Sequence, residues 1–405
     1  MRKYWLLISL INFFIAAIMG LFLRGAFVWE LHWIEYNYLL HGHSHLALLG
    51  WLYLGLFVLI HGRLLPKEKA SKAIYTLLFW LTQVSVVGMM VSFPLQGYAG
   101  FSIFFSSLHI MLSYVFAFRV WKDHQKESLH ITLLVRTALL FLLVSTFGVW
   151  AVAVIMANGG GGGVLYQVAI QFYLHFQFNG WLLFGVLALI INDFKPKFSP
   201  FGFQSFYFLM CLSQVLTFGL ILFWAYRWNW TFGVNIIGVG FQLLAMGVLL
   251  SLRKDFRFNL SRLPATHSFL LLAFIVGVIR VVAQVLLIFP DIADLAVSLR
   301  TTIIGFIHLN MLGLFSAYLL YSFFKNQALV TYNKQFKWAV IPFFIGFIGS
   351  ELILFFKGFS TWRSWYVLPY YHESLLAFSG FIPLGIAVYI CLFLKHYSHR
   401  SAIVQ

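Results

Sequence analysis

The sequence predicts an all-α polytopic membrane protein: twelve transmembrane helices in three pseudo-repeated four-helix arcs, with the N- and C-termini cytoplasmic. Three observations predict it. First, 62% of the 405 residues are hydrophobic and only 9% are charged. A water-soluble domain carries roughly a quarter charged residues, so a soluble globular fold and a disordered chain are both excluded. Second, the apolar residues gather into twelve runs, each near the roughly 20 residues that cross a bilayer. Third, basic residues favour one side of those runs, and histidines recur along them with a period.

The runs cover approximately 4–23, 38–60, 73–93, 99–118, 137–157, 164–191, 204–225, 232–252, 267–289, 301–324, 336–356 and 367–394. The first, MRKYWLLISLINFFIAAIMG, has the apolar stretch of a secretory signal. The following RGAFVWELHW lacks a small-residue cleavage pattern, so the run reads as a retained helix. Pro94, Pro290, Pro342 and Pro383, near helix ends, predict breaks or kinks. The NGGGGG run at 158–163 reads as a flexible external turn between the fifth and sixth helices. Cys211 and Cys391 both sit inside apolar runs, which excludes a disulfide scaffold. Loops are short throughout. The chain is therefore a single membrane domain, 1–405, with repeats at approximately 1–135, 136–266 and 267–405.

The formal charge of +16 could be mistaken for a nucleic-acid signature. Its distribution argues otherwise. With the N-terminus cytoplasmic, the loops on that side carry Arg63, Lys67, Lys69 and Lys72; Arg119, Lys122, Lys126 and Arg136; Lys195 and Lys197; Arg253, Lys254, Arg257 and Arg262; and Lys325, Lys334 and Lys337. Adding Arg2, Lys3, Lys395 and Arg400 at the termini places 21 of the 27 basic residues on one face. Arg24, Arg227, Arg300, Lys357 and Arg363 fall opposite, and Arg280 lies within a span. This is the positive-inside pattern of a multi-pass protein of a bacterial cytoplasmic membrane. The partner it implies is the lipid bilayer, and no nucleic acid is needed.

Fourteen histidines are many for so apolar a chain. His32, His61, His124, His130, His267, His396 and His399 belong to loops or tails. The other seven, His41, His43, His45, His109, His175, His308 and His372, all lie on even-numbered runs. Three of those runs share a motif: HLALLG from His45, HFQFNG from His175 and HLNMLG from His308, at intervals of 130 and 133 residues. His109, Gln242 and His372 form a second series at intervals of 133 and 130. A unit of four helices used three times explains both series.

Ionisable groups within the hydrocarbon are expensive and mark sites by default. Neutral imidazole ligates haem iron, copper, zinc and non-haem iron; the bland alternative is hydrogen bonding between helices. Residues two apart on a helix point about 200° apart, whereas residues four apart share a face. His41 and His45 are thus expected on one side of the second helix and His43 on another, serving two different sites. The glycine five residues after each motif histidine would let a flat macrocycle or a neighbouring helix approach. Arg280 needs an anion, with a propionate, Glu351 or Asp294 as candidates. Glu351 itself could relay protons or act as a hydrogen-bonded packing residue.

HSHLALLGW, from His43 to Trp51, resembles the second helix of C-type haem–copper oxidases and nitric oxide reductases, where such a histidine ligates the low-spin haem. GFIHLNMLG, from Gly305 to Gly313, is similar to their tenth helix, where an H-x-H pair ligates two haems. HFQFNG resembles the reductase pattern that supplies a ligand to the non-haem metal. The twelve-helix, three-arc architecture is also theirs. The H-x-H-x4-G of the second helix resembles, too, the NnrS-type haem–copper membrane proteins linked to nitric oxide tolerance. The resemblance implies a haem b held by His43 and His308, with Arg363 of TWRSWY pairing with a propionate; an interfacial Arg among belt tryptophans is the alternative. It implies a second site for copper or non-haem iron drawn from His41, His45, His175, His109 and His372.

The departures are specific. Phe306 replaces the first histidine of the tenth-helix pair, the seventh helix has no His-His pair, and Asn179 stands where the reductases carry a glutamate. An oxygen-reducing dinuclear centre is therefore not expected. With no C-x-x-C-H motif, covalent c-type haem is not expected either. Electrons would come from quinol or a cytochrome subunit. The functions in view are electron transfer or nitric oxide- and oxygen-related redox chemistry, an NnrS-like non-enzymatic haem or copper protein, and a metal or proton transporter.

Overall fold

A computed structural model describes residues 3–124, 128–252, 265–325, 333–365 and 368–403. Arg2, Lys126, Arg253, Lys254, Arg257 and Arg262 of the basic pattern lie outside the described residues. The described chain is all-helical, and twelve helices are long and apolar enough to span a bilayer. They are α1 (Lys3–Gly25), α2 (Tyr36–Arg63), α3 (Ala73–Gln96), α4 (Gly100–Asp123), α5 (Leu129–Ala157), α6 (Val164–Phe194), α7 (Pro200–Tyr226), α8 (Asn229–Ser251), α9 (His267–Leu286), α10 (Arg300–Phe324), α11 (Gln335–Trp362) and α12 (Tyr371–Lys395).

The connections follow local chemistry. Pro200 opens α7 at the first helical position, and the Ser199 hydroxyl caps it by accepting from the Gly202 N–H at 3.0 Å. Between α5 and α6, the polyglycine run forms a closed turn. Gly159 and Gly162 take φ of +75° and +78°, a region that costs glycine nothing. A short helix, Pro290–Ser298, fills the α9–α10 connection where the sequence suggested a plain loop; its leading proline suits a helix start. α7 is interrupted at Thr217–Phe218, close to where Gly219 meets the α8 backbone.

Neighbouring helices pack in chain order, and α12 returns onto α1. Burial separates the twelve into two classes. In the most apolar stretch of α2, α6 and α10, 83%, 72% and 61% of residues are buried, against 28% to 50% in the other nine. The three helices carrying the H-x4-G motif are therefore the central ones. α2 touches both α6 and α10. Trp51 of α2 donates its indole N–H to the Ser316 hydroxyl of α10 at 2.7 Å, with Phe13 of α1 stacked on the indole. At one end of the bundle Arg63 of α2 pairs with Asp193 of α6, and Tyr318 of α10 donates to the same carboxylate at 3.1 Å. One buried network thus ties all three central helices.

Candidate functional site

Each central helix widens into a π-helical segment immediately after its motif histidine. The segments are Leu46–Tyr53 after His45, Gln177–Leu182 two residues after His175, and Leu309–Ser316 after His308. π-segments shift the hydrogen-bond register and are frequent at functional sites. The motif glycines fall inside them, and the structure shows what presses on each. A Cβ on Gly50 would meet Leu46 and Val86, one on Gly180 would meet Phe141, and one on Gly313 would meet Phe347 and Val276. Close helix packing therefore accounts for all three glycines.

His43 and His308 share a distinctive arrangement. The His43 Nδ1–H donates to the Ala16 carbonyl of α1 at 2.8 Å, and the His308 Nδ1–H donates to the Ile304 carbonyl at 2.8 Å. A carbonyl only accepts, so each Nδ1 carries a proton, and in the neutral imidazole each Nε2 then keeps its lone pair. Metal-ligating histidines are oriented in this way. The two rings lie within electrostatic range of each other. Arg24, at the end of α1, acts on both and also on Glu351 of α11, Tyr36 and Tyr371. Glu351 is buried, with no hydrogen-bond partner on either carboxyl oxygen. Among the described residues Arg24 has no carboxylate close enough for an ion pair.

The other side of α2 is separate. His45 donates Nδ1–H to the His41 carbonyl at 2.9 Å, and its Nε2 faces the Tyr98 hydroxyl at 3.4 Å. His41 meets the Tyr98 ring edge-on, and His45 stacks on Phe93. The opposed facing expected for His43 and the His41/His45 pair is therefore present. His109 of α4 is buried within electrostatic range of His45. It hydrogen-bonds the Leu49 carbonyl inside the π-segment, and its Nε2 has no partner. Tyr53 lies edge-on to His109 at 4.7 Å, its hydroxyl likewise without a partner.

The remaining candidates sit elsewhere. Both nitrogens of His175 are committed: Nε2–H donates to the Gln214 carbonyl at 2.7 Å, and Nδ1 accepts from Asn179 at 3.1 Å. Arg280 in turn donates to Asn179 Oδ1 at 2.5 Å, so an amide is its partner where an anion was expected. Asp294, one of the anions considered, pairs instead with Arg227. His372 is exposed in the first turn of α12, stacked on Phe27. Arg363 is exposed beyond α11 and lies over the Trp362 ring at 5.1 Å. No group of three or more His, Cys, Asp or Glu side chains able to hold one metal ion occurs among the described residues. Arg24, counted from sequence only as a loop charge, is the basic residue that accompanies His43 and His308.

No family model and no curated protein sequence matches this chain.

Proposed function

We propose that the chain is a haem-binding integral membrane protein that transfers electrons, resembling subunit I of the haem–copper oxidases without its dinuclear centre. The observation that carries this reading is that His43 and His308, on two central helices and within electrostatic range of each other, are oriented in the same way. Two neutral imidazoles from two central helices have each spent Nδ1–H on a backbone carbonyl, and each keeps an Nε2 lone pair for an axial bond. His43 and His308 would hold a haem b, and Arg24, with no carboxylate partner among the described residues, would supply the charge that a propionate requires. Such a haem supplies one-electron transfer. The protein residues do the rest: Ala16 and Ile304 fix the ring tautomers, Arg24 offsets anionic charge, and the apolar helices exclude water.

The same reading places the basic end of the bundle, with both termini, on the cytoplasmic side. It takes the recurrence of motif, π-segment and central burial in α2, α6 and α10 as three four-helix units. It makes Glu351 a buried carboxyl beside the cofactor and assigns the electrons to quinol or a cytochrome partner.

A second reading rests on His45 and His109. Each has one ring nitrogen engaged with a backbone carbonyl, and two imidazole lone pairs suit a soft metal such as copper(I). This favours an NnrS-like protein that holds haem or copper without turnover.

An absorption spectrum of the purified protein, oxidised and reduced, tests the proposal. A Soret band with a sharp reduced α-band is the expected result. Stoichiometric metal without any Soret band would replace haem binding by metal handling or transport.

A further inference from the structure

The end of the bundle marked by Arg63 holds a cavity of about 80 Å³, lined by Arg63, Leu64, Leu65, Pro66, His124, Ser128, Ile131 and Asn192. Four of the lining side chains are polar: Arg63, His124, Ser128 and Asn192. The Arg63 side chain is 8% exposed; its NH2 pairs with Asp193, while NH1 is buried with no partner. Ser128 is the N-cap residue of the 29-residue helix α5, yet its hydroxyl makes no capping bond. The first-turn N–H groups of a helix have no intrahelical acceptor and point outward with the positive end of the helix dipole. The Asn192 amide adds another donor. Among the described residues, the two carboxylates adjacent in sequence to lining residues are both engaged, Asp193 by Arg63 and Tyr318 and Asp123 by Lys72 and Tyr75.

A buried guanidinium edge facing a helix N-terminus is a site for an oxyanion. Lys67 and Lys69, on the short helix Lys67–Ala70 that follows Pro66, and Lys195 and Lys197 after α6 add positive charge close in sequence to the lining residues, with Glu68 between the first two. Such fields attract anionic headgroups at a membrane surface. The apolar lining residues, Leu64, Leu65, Pro66 and Ile131, suit the first carbons of a lipid. We propose that this cavity binds a phosphate group, carried by an anionic lipid headgroup or present as free phosphate, between the α2 terminus and the start of α5. Bound there, it completes the Arg63 hydrogen bonding and braces the network joining α2, α6 and α10. The inference does not depend on what the histidines bind.

The test uses the full chain in a neutral detergent. Its thermal midpoint is followed while phosphatidylglycerol, phosphatidylcholine with the same acyl chains, or inorganic phosphate is added. The expected result is a rise with phosphatidylglycerol or phosphate, none with phosphatidylcholine, and loss of the rise in high salt. A rise with the lipid alone assigns the headgroup; a rise with inorganic phosphate assigns the free anion. Asn192→Leu combined with Ser128→Ala should weaken the apparent affinity about tenfold. Arg63→Lys, which cannot fork between Asp193 and the ligand, should do the same. If Arg63→Lys does not fold, the Asn192/Ser128 variant decides. Absence of any rise in the wild-type chain, an equal rise with phosphatidylcholine, or an unchanged rise in the Asn192/Ser128 variant would overturn the site.

Discussion

The imidazole of His43 on α2 is held from another helix: its Nδ1–H reaches the Ala16 carbonyl of α1 at 2.8 Å. His308 reaches only one turn back along its own helix, to Ile304. Both bonds leave Nε2 with a lone pair, but their robustness differs. The aim of His43 depends on how closely α1 approaches α2, and that approach is set at Gly20, against which the His43 ring lies.

A methyl group at Gly20 would stand 2.8 Å from His43 Cε1 and 3.2 Å from Nδ1. Gly20→Ala should therefore push the ring off Ala16, at a cost of about 1–3 kcal/mol for overpacking. The thermal midpoint and the haem content of the purified variant should fall together. Gly380→Ala, where the nearest atom to a new methyl group is 3.8 Å away, should change neither.

Arg24 offers the second handle, because its charge bears on both histidines. Positive charge beside a haem stabilises the reduced form. Arg24→Leu should lower the haem midpoint potential, and Arg24→Lys should keep more of it. A redox titration reads this directly, and equal potentials in all three proteins would detach Arg24 from the cofactor.

How much of this was legible in the sequence differs by feature. All twelve spans were readable, because an apolar run near bilayer length is a strong signal that tertiary packing does not override. So was the opposed facing of His43 and His45, which follows from helical spacing alone. The π-segments were not, since a one-residue widening of the helix leaves the apolar run and its length unchanged. Arg24 fell one residue past the expected end of the first span, and so read as a loop charge; α1 extends to Gly25. His372 went the other way. The last span was expected from 367, but α12 starts at Tyr371, leaving His372 in an exposed first turn. For His175, sequence could not show that Gln214 of α7 offers a backbone carbonyl to Nε2.

The Arg63–Asp193–Tyr318 network should behave as a buried ion pair does. Asp193→Leu or Arg63→Met alone leaves an uncompensated buried charge and should cost about 3–5 kcal/mol. Arg63→Met combined with Asp193→Leu should recover most of that loss. Tyr318→Phe removes a single hydrogen bond and should cost about 1 kcal/mol. Chemical denaturation of the four proteins in detergent gives the comparison, and additive losses in the double variant would contradict coupling.

The chain from His175 through Asn179 to Arg280 predicts a difference in size between the effects of two substitutions at one position. Asn179→Leu strips the buried guanidinium of its acceptor and should cost about 1–3 kcal/mol. Asn179→Asp keeps the acceptor for Arg280, loses the donor to His175 Nδ1, and should be less damaging than Asn179→Leu. Thermal unfolding distinguishes them, and equal destabilisation would mean that the Arg280 contact carries little of the stability.

The most direct test of the central assignment is the reduced-minus-oxidised spectrum of three purified variants beside the wild type. His43→Ala and His308→Ala should each abolish the low-spin, six-coordinate haem signature, while His45→Ala, on the opposite face of α2, should leave it largely intact. Loss of the signature in His45→Ala with retention in His43→Ala would move the axial ligand to His45, and an unchanged spectrum in all three would remove the proposed haem site.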